Sequence, residues 1–222
     1  MWDLLFPPRC SGCDRVGVWL CEACAQQLSL FRGPMCPDCG RPTEEPVVCS
    51  VCLHKPLTVV PIRSAFLFEG LLREVVHALK YRGGRSVVDL LAPRMAEAWQ
   101  GAPLRSEVLV PVPLYPEREA RRGYNQAALL ARALGRYLEL PVATRALVRI
   151  RNTASQTQLN REERRANVSG AFVLQKDVEL AGRYVTLVDD VATTGATLEA
   201  CAAALGAEGV KGVNAFTLAR AP

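Results

Sequence analysis

Eight cysteines stand in the first 52 residues as four identical C-x-x-C pairs: Cys10/Cys13, Cys21/Cys24, Cys36/Cys39 and Cys49/Cys52. This spacing puts two thiolates of one tight turn on the same Zn²⁺ ion, and two such turns complete a tetrahedral site. Gly12, Gly33 and Gly40 fall around these turns, where unusual backbone angles are expected. No long periodic apolar stretch accompanies them. A segment of this kind cannot fold on a core of its own, so metal binding must supply its folding energy.

The gaps between pairs bear on which cysteines share an ion. Seven residues separate Cys13 from Cys21, nine separate Cys39 from Cys49, and eleven separate Cys24 from Cys36. Short loops close at lower entropic cost, which favours one zinc on the first two pairs and a second on the last two. Both gaps are shorter than a typical ribbon's, so an interleaved pairing stays open. The competing reading is a disulfide framework, which needs an oxidising compartment. Residues 1–10 hold no basic segment ahead of a long apolar one, so a secretory leader is not expected and a cytoplasmic location is. Four thiolates per ion leave no open coordination position, so both zinc sites are predicted to be structural. Cys201 stands alone on an Ala-rich helix and reads as a small buried residue. His54 follows the last pair and reads as a solvated side chain rather than a replacement ligand.

The chain has 222 residues, enough for one large domain or two smaller ones. Half of them are hydrophobic, sufficient for a real core, and no apolar run approaches the ~20 residues of a membrane span. The 27 Lys and Arg against 22 Asp and Glu leave +5, which admits phosphate-bearing ligands without announcing nucleic acid.

Near residue 60 the texture changes, so residues 1–58 are taken as the zinc module and residues 59–222 as a second domain. Residues 62–68 read as a strand. Leu71, Leu72, Val75, Val76 and Leu79 recur at helical spacing, ending near Gly83-Gly84. Residues 87–99 and 125–137 read as helices, 108–113 and 183–188 as buried strands, 197–207 as a helix and 213–218 as a last strand. Alternating strands and helices imply an open parallel α/β sheet, whose ligands sit beyond the carboxyl ends of the strands. Residues 151–167 are polar and Arg-rich and read as a mobile loop leading into a short helix.

The segment from Val185 to Thr197 carries the chemistry. An apolar strand ends in Asp189 and Asp190, a hydroxyl- and glycine-rich turn follows, and then a helix begins. Unpaired N–H groups and the positive end of a helix dipole suit a phosphate there. Gly195 allows close backbone approach, and Thr193, Thr194 and Thr197 add hydroxyl donors. Asp189 and Asp190 can accept from two ribose hydroxyls or steer a Mg²⁺ ion that bridges to them.

This stretch resembles the phosphoribosyl pyrophosphate (PRPP) signature of type I phosphoribosyltransferases over all thirteen positions. The resemblance implies that Ala192, Thr193, Thr194, Gly195, Ala196 and Thr197 bind the 5′-phosphate and that Asp189 and Asp190 are the catalytic pair. Two other segments agree. A strand end at Pro113, a loop that carries Leu114, Tyr115, Arg118 and Arg122, and a following helix start suit a pyrophosphate pocket. Arg161, Arg164 and Arg165 suit a flexible flap over a polyanion, although Glu162 and Glu163 interrupt the charge.

Across essentially its whole length the chain resembles the ComF family, in which a double zinc ribbon precedes a type I phosphoribosyltransferase-like parallel sheet with helices on both faces. The landmarks are Leu79-Lys80-Tyr81-Arg82-Gly83, the Val-Pro-Val-Pro-Leu strand from Val110, Gln156 through Phe172, and the Asp-Asp-Val-Ala-Thr-Thr-Gly turn. Tyr115 stands where many members have His, and Tyr124 where Phe is usual. The family implies natural competence: uptake of single-stranded DNA into the cytoplasm, a ComF-type helicase as partner, and PRPP or a nucleotide bound with Mg²⁺.

Two alternatives stand beside it. One is a purine or pyrimidine salvage phosphoribosyltransferase, which the zinc module disfavours. The other is a single-stranded nucleic-acid-binding zinc module with a vestigial phosphate pocket, disfavoured because aromatics for base stacking are only 6% of the chain. The cysteine arithmetic makes one firm expectation: elemental analysis of protein purified without chelator finds about two zinc ions per chain, and near-zero metal refutes the zinc assignment.

Overall fold

The structure, a computed structural model, describes residues 7–152, 168, 170–175 and 177–222. In the first 58 residues, each of two ribbons consists of a cysteine knuckle followed by a second pair at the start of a short helix. These helices are α1 (Glu22–Gln26) and α2 (Ser50–His54). The ribbons repeat one another. Cys10 and Cys13 recur at Cys36 and Cys39, an offset of 26, while Cys21 and Cys24 recur at Cys49 and Cys52, an offset of 28. Each knuckle is pinned by backbone bonds of the same form, Cys10 N–H to Arg15 O at 2.9 Å and Cys36 N–H to Arg41 O at 2.8 Å.

The second half is built on four parallel strands in the order β1 (Ile62–Leu67), β6 (Gly212–Arg220), β5 (Tyr184–Ala192) and β2 (Val108–Pro111). Period-two alternation in these strands splits the core into two layers. Leu109, Val188, Phe216 and Leu218 face α3 (Gly70–Tyr81), α4 (Val87–Gly101) and α6 (Gln126–Leu138). Val110, Val185, Leu187 and Ala215 face Leu198, Cys201 and Leu205 of α7 (Ala196–Gly206). Both faces are therefore covered, which is why the strands read as nearly continuous apolar runs. Strands β3 (Leu147–Arg149) and β4 (Phe172–Leu174) form a separate antiparallel pair.

Two local readings change. Residues 116–122 form a short helix, α5 (Pro116–Arg122), rather than a loop: Pro116 begins it, Glu117 and Glu119 suit its first turn, and Gly123 ends it at φ +80°. Strand β5 does not stop at the two acids. Pairing continues through Ala192 because β6 supplies partners as far as Arg220. Cys201 is buried on α7, and His54 is exposed with Nδ1 2.7 Å from Ser50 O, both as the sequence predicts.

The ribbons share the core of the α/β unit. Leu20, Cys21, Cys24, Ala25 and Leu28 pack in the same buried cluster as Leu72, Val75 and Leu91. Among the described residues no helix is long and apolar enough to cross a membrane.

Candidate functional site

Cys10, Cys13, Cys21 and Cys24 form one thiol cluster, and Cys36, Cys39, Cys49 and Cys52 form another, with the Sγ atoms of each set within 4.8 Å of one another. Pairing is thus sequential. Zinc fits both. A tetrahedral ion with Zn–S bonds of about 2.3 Å requires Sγ atoms about 3.8 Å apart, and both Cys13–Cys21 and Cys39–Cys49 lie at 3.7 Å. Backbone amides add support: Cys21 N–H points at Cys10 Sγ at 3.3 Å and Cys49 N–H at Cys36 Sγ at 3.4 Å. Burial pushes the Cys10 thiol up, but amides of Cys13, Gly12 and Cys21 outweigh it and bring it down to about 6. Cys24, hydrogen-bonded to the Cys21 sulfur and buried, is pushed up to about 12. The bare set thus keeps protons that a metal must displace.

Beyond the carboxyl ends of β5 and β2 lies a cavity of about 670 Å³, within the range of small-molecule sites. Asp189, Asp190, Thr193 and Thr197 line its floor, and Leu114, Arg118, Gln126 and Arg149 line one side. The exposed face of α3 supplies the other, with Arg73, Glu74, His77 and Lys80. A crook of about 40 Å³ opens at the start of α7, lined by Ala192, Thr193, Gly195, Ala196 and Thr197. At roughly 10–15 Å³ per water this is room for about three waters, comparable to the three oxygens of a phosphoryl group. Gly195 sits at φ +79°, the left-handed conformation that glycine adopts freely, and an added Cβ there meets nothing closer than 3.6 Å.

The two acids differ in role because alternate strand residues point to opposite sides. Asp190 is buried, and its Oδ1 lies 2.8 Å from Lys80 Nζ while its Oδ2 has no hydrogen-bond partner among the described residues. Burial alone lowers the Lys80 ammonium, but the Asp190 carboxylate overcomes that and holds it above its ordinary value. Asp189 Oδ1 accepts from Asp190 N–H at 2.8 Å. Burial, reinforced by the neighbouring Asp190 charge, raises the Asp189 carboxyl to about 7. A buried acceptor without a donor and a carboxyl that keeps its proton are both costly, and both are relieved by hydroxyls or a cation.

The remaining expected residues divide. Thr194 lies on the far side of the turn, where its hydroxyl accepts from Ala196 N–H at 3.3 Å and its side chain meets a cleft shared with the second ribbon. Tyr115 caps α5, and Arg122 is hydrogen-bonded to Gln126 and lies over the Tyr81 ring; neither lines the cavity. Arg161, Arg164 and Arg165 lie outside the described residues. Lys80, Arg149 and Arg220 were not expected to serve the site. Lys80 and Arg220 carry a faint sequence signal, as a cation directly after the apolar Ala78-Leu79 of α3 and a cation at the end of an apolar strand.

The sheet, the covered faces and the two thiolate clusters define a phosphoribosyltransferase fold preceded by a double zinc ribbon. Comparison with known families agrees: the double zinc ribbon domain matches residues 1–53 and the phosphoribosyl transferase domain residues 120–222. The chain is 32% identical over 209 residues to competence protein ComFC of Bacillus subtilis, covering 90% of this chain and 84% of that protein. It is 33% identical over 209 residues to competence protein F of Haemophilus influenzae, covering 91% and 90% of the two chains. It is 32% identical over 213 residues to DNA utilization protein YhgH of Escherichia coli, covering 92% of each. The chain belongs to the ComF family. Among solved structures, glutamine PRPP amidotransferase from Bacillus subtilis overlaps 60% of this chain and 26% of its own, at 19% identity and a TM-score of 0.41.

Two outcomes follow from the buried charges. In zinc-loaded, Mg²⁺-free protein the folded state holds a proton on Asp189 that the unfolded chain releases above its ordinary value of 3.8. Between about pH 4 and about pH 7 the folded state therefore binds more protons, and stability falls as pH rises through that window. Thermal melts across this range show the decline, and Asp189→Asn flattens it. Lys80→Met leaves Asp190 buried without its cation. Loss of one partner from a fully buried pair costs ~3–5 kcal/mol, and partial exposure of Lys80 reduces that to about 2–3 kcal/mol in denaturant unfolding.

Proposed function

We propose that this protein binds PRPP or a related nucleotide with Mg²⁺ in the cavity beyond β5, and serves the handling of incoming single-stranded DNA in the cytoplasm. One observation carries the reading. The crook at the start of α7 is open, and it shares Asp189, Val191, Thr193 and Thr197 with the large cavity that holds the paired carboxylates.

In this reading the 5′-phosphate sits against the N–H groups of residues 192–197, where the helix dipole and threonine hydroxyls favour an anion. The ribose diol lies over Asp189 and Asp190, and the orphan Asp190 Oδ2 accepts one of its hydroxyl protons. Lys80 holds that carboxylate in place. The pyrophosphate extends toward Leu114 and Arg118, which line the cavity, and the Arg118 and Arg149 guanidinium groups balance its charge, while Tyr115 and Arg122, expected in this pocket from the sequence, stand outside the lining. Mg²⁺, when bound, neutralises phosphate oxygens, and the Asp189 and Asp190 carboxylates are the hard oxygen donors it prefers. Group transfer from this complex breaks the C1–oxygen bond to pyrophosphate and forms a bond from C1 to a nitrogen nucleophile, with Arg118 facing the charge that grows on the leaving group. The relatives named for competence and DNA utilization support the link to DNA; single-stranded DNA and a ComF-type helicase are the partners that the family resemblance implies.

Calorimetric titration of the zinc-loaded chain with PRPP gives saturable, Mg²⁺-dependent heat. Asp190→Asn weakens binding about tenfold or more, the loss expected for a ~1.5–3 kcal/mol hydrogen bond to a charged group. A wild-type titration without heat, with and without Mg²⁺, overturns the reading.

A further inference from the structure

Arg220 ends β6 and is 2% exposed. Among the described residues no carboxylate pairs with it. Its guanidinium instead joins two segments far apart in sequence. Nε donates to Cys39 O at 2.9 Å, and Nη1 donates to Ala192 O at 2.7 Å and to Thr193 O. Cys39 belongs to the second thiolate cluster, whereas Ala192 and Thr193 line the crook at the start of α7. Arg220 also shares a cleft of about 300 Å³ with Cys39, Cys52 and Thr194.

A buried guanidinium is costly, and an apolar side chain would end the strand more cheaply. Its surroundings compensate. A four-thiolate zinc centre carries a net charge of about −2, which balances a cation beside it. The second knuckle is also fixed to the sheet. Ile62 N–H donates to Asp38 O at 2.7 Å, and Arg63 Nη1 donates to Pro37 O at 2.9 Å. Gly40 turns the knuckle at φ +66°, and a Cβ there would lie 2.5 Å from Ile62 O. At the matching position of the first knuckle, Asp14 adopts φ +61° on an exposed surface. The first knuckle thus makes no such docking, and among the described residues no hydrogen bond joins the first ribbon to the turn.

We propose that Arg220 is a positioning residue that couples zinc occupancy of the second ribbon to the affinity of the crook for a phosphate monoester. The proposal rests on the phosphate-binding reading above. Carbonyl oxygens held by Arg220 are not free to turn toward the crook, where they would repel an anion. When zinc leaves, the ion no longer fixes the knuckle that carries Cys39, so the Cys39 carbonyl that Arg220 Nε holds at 2.9 Å is released from its position. The guanidinium then holds Ala192 and Thr193 less firmly. Coupling of this kind is reciprocal in binding free energy, so a phosphate ligand must tighten zinc binding at the second ribbon. The first ribbon serves as an internal control.

The test uses the full zinc-loaded chain and ribose 5-phosphate. Zinc release to a chromogenic chelator is titrated to equilibrium with and without the sugar phosphate, whose affinity is measured by calorimetry. In wild type, ribose 5-phosphate raises the chelator concentration needed to extract one of the two zinc ions about fivefold or more and leaves the other unchanged. Arg220→Met weakens sugar-phosphate binding about tenfold and abolishes the protection, while Arg220→Lys, which keeps the charge but not the planar fork, restores only part of either. Wild type that binds ribose 5-phosphate without altered zinc release overturns the coupling and leaves the phosphate reading standing. Full protection in Arg220→Met does the same. Failure of wild type to bind ribose 5-phosphate overturns both. Should Arg220→Met not fold, the wild-type and Arg220→Lys extraction equilibria decide.

Discussion

The pairing of β5 with β6 is the constraint on which the rest depends. Eight residue pairs run from Tyr184 opposite Gly212 to Ala192 opposite Arg220. Parallel strands so paired deliver both acids and the buried arginine to the same end of the sheet. β5 also lies between β6 and β2, so its apolar residues are covered on both faces. A one-residue slip would exchange Leu187 and Val188 between layers and turn Asp189 and Asp190 to the opposite sides. The geometry of the cavity is therefore set by core packing rather than by the polar residues that line it.

The site concentrates unfavourable electrostatics that the core holds in place. Asp190 spends one oxygen on Lys80 and leaves the other unpaired, while Asp189 keeps a proton up to about pH 7. Neither arrangement favours the empty protein. Both fit a floor that awaits hydroxyls and a cation, since polar groups desolvated in advance need little reorganisation when charge arrives. Stability and ligand binding are opposed at these two residues, and the apolar contacts of β5 offset the cost.

The zinc ribbons are joined to this site rather than appended to it. The first packs Leu20, Ala25 and Leu28 into the cluster beneath α3 and α4. The second presses a glycine knuckle against β1 and receives a bond from Arg220. The near-repeat of the two ribbons has thus diverged by environment. Asp14 is tolerated where the knuckle meets water, and Gly40 is required where it meets Ile62 O. A metal-dependent segment with few apolar residues gains a core by borrowing one, and the α/β unit gains a rigid neighbour beside the turn that opens α7.

Much was legible in the sequence because it is encoded locally. The C-x-x-C spacing fixes which thiols share a turn, the apolar runs of β2 and β5 announce buried parallel strands, and the Thr-Thr-Gly turn places a glycine where the backbone must pass φ +79°. Each depends on residues a few positions apart. The capture of Asp190 by Lys80 and the bridge from Arg220 to Cys39 join residues 110 and 181 positions apart, and no local pattern specifies them. Charge marks Lys80 and Arg220 as cations within apolar segments, but their partners exist only once the sheet is assembled. The sequence by itself determined the elements, the donor atoms, the favoured zinc pairing and the turn that opens α7. Tertiary structure alone decided which charges meet, because burial makes a charge seek the partner that the fold brings near, not the one adjacent in the chain.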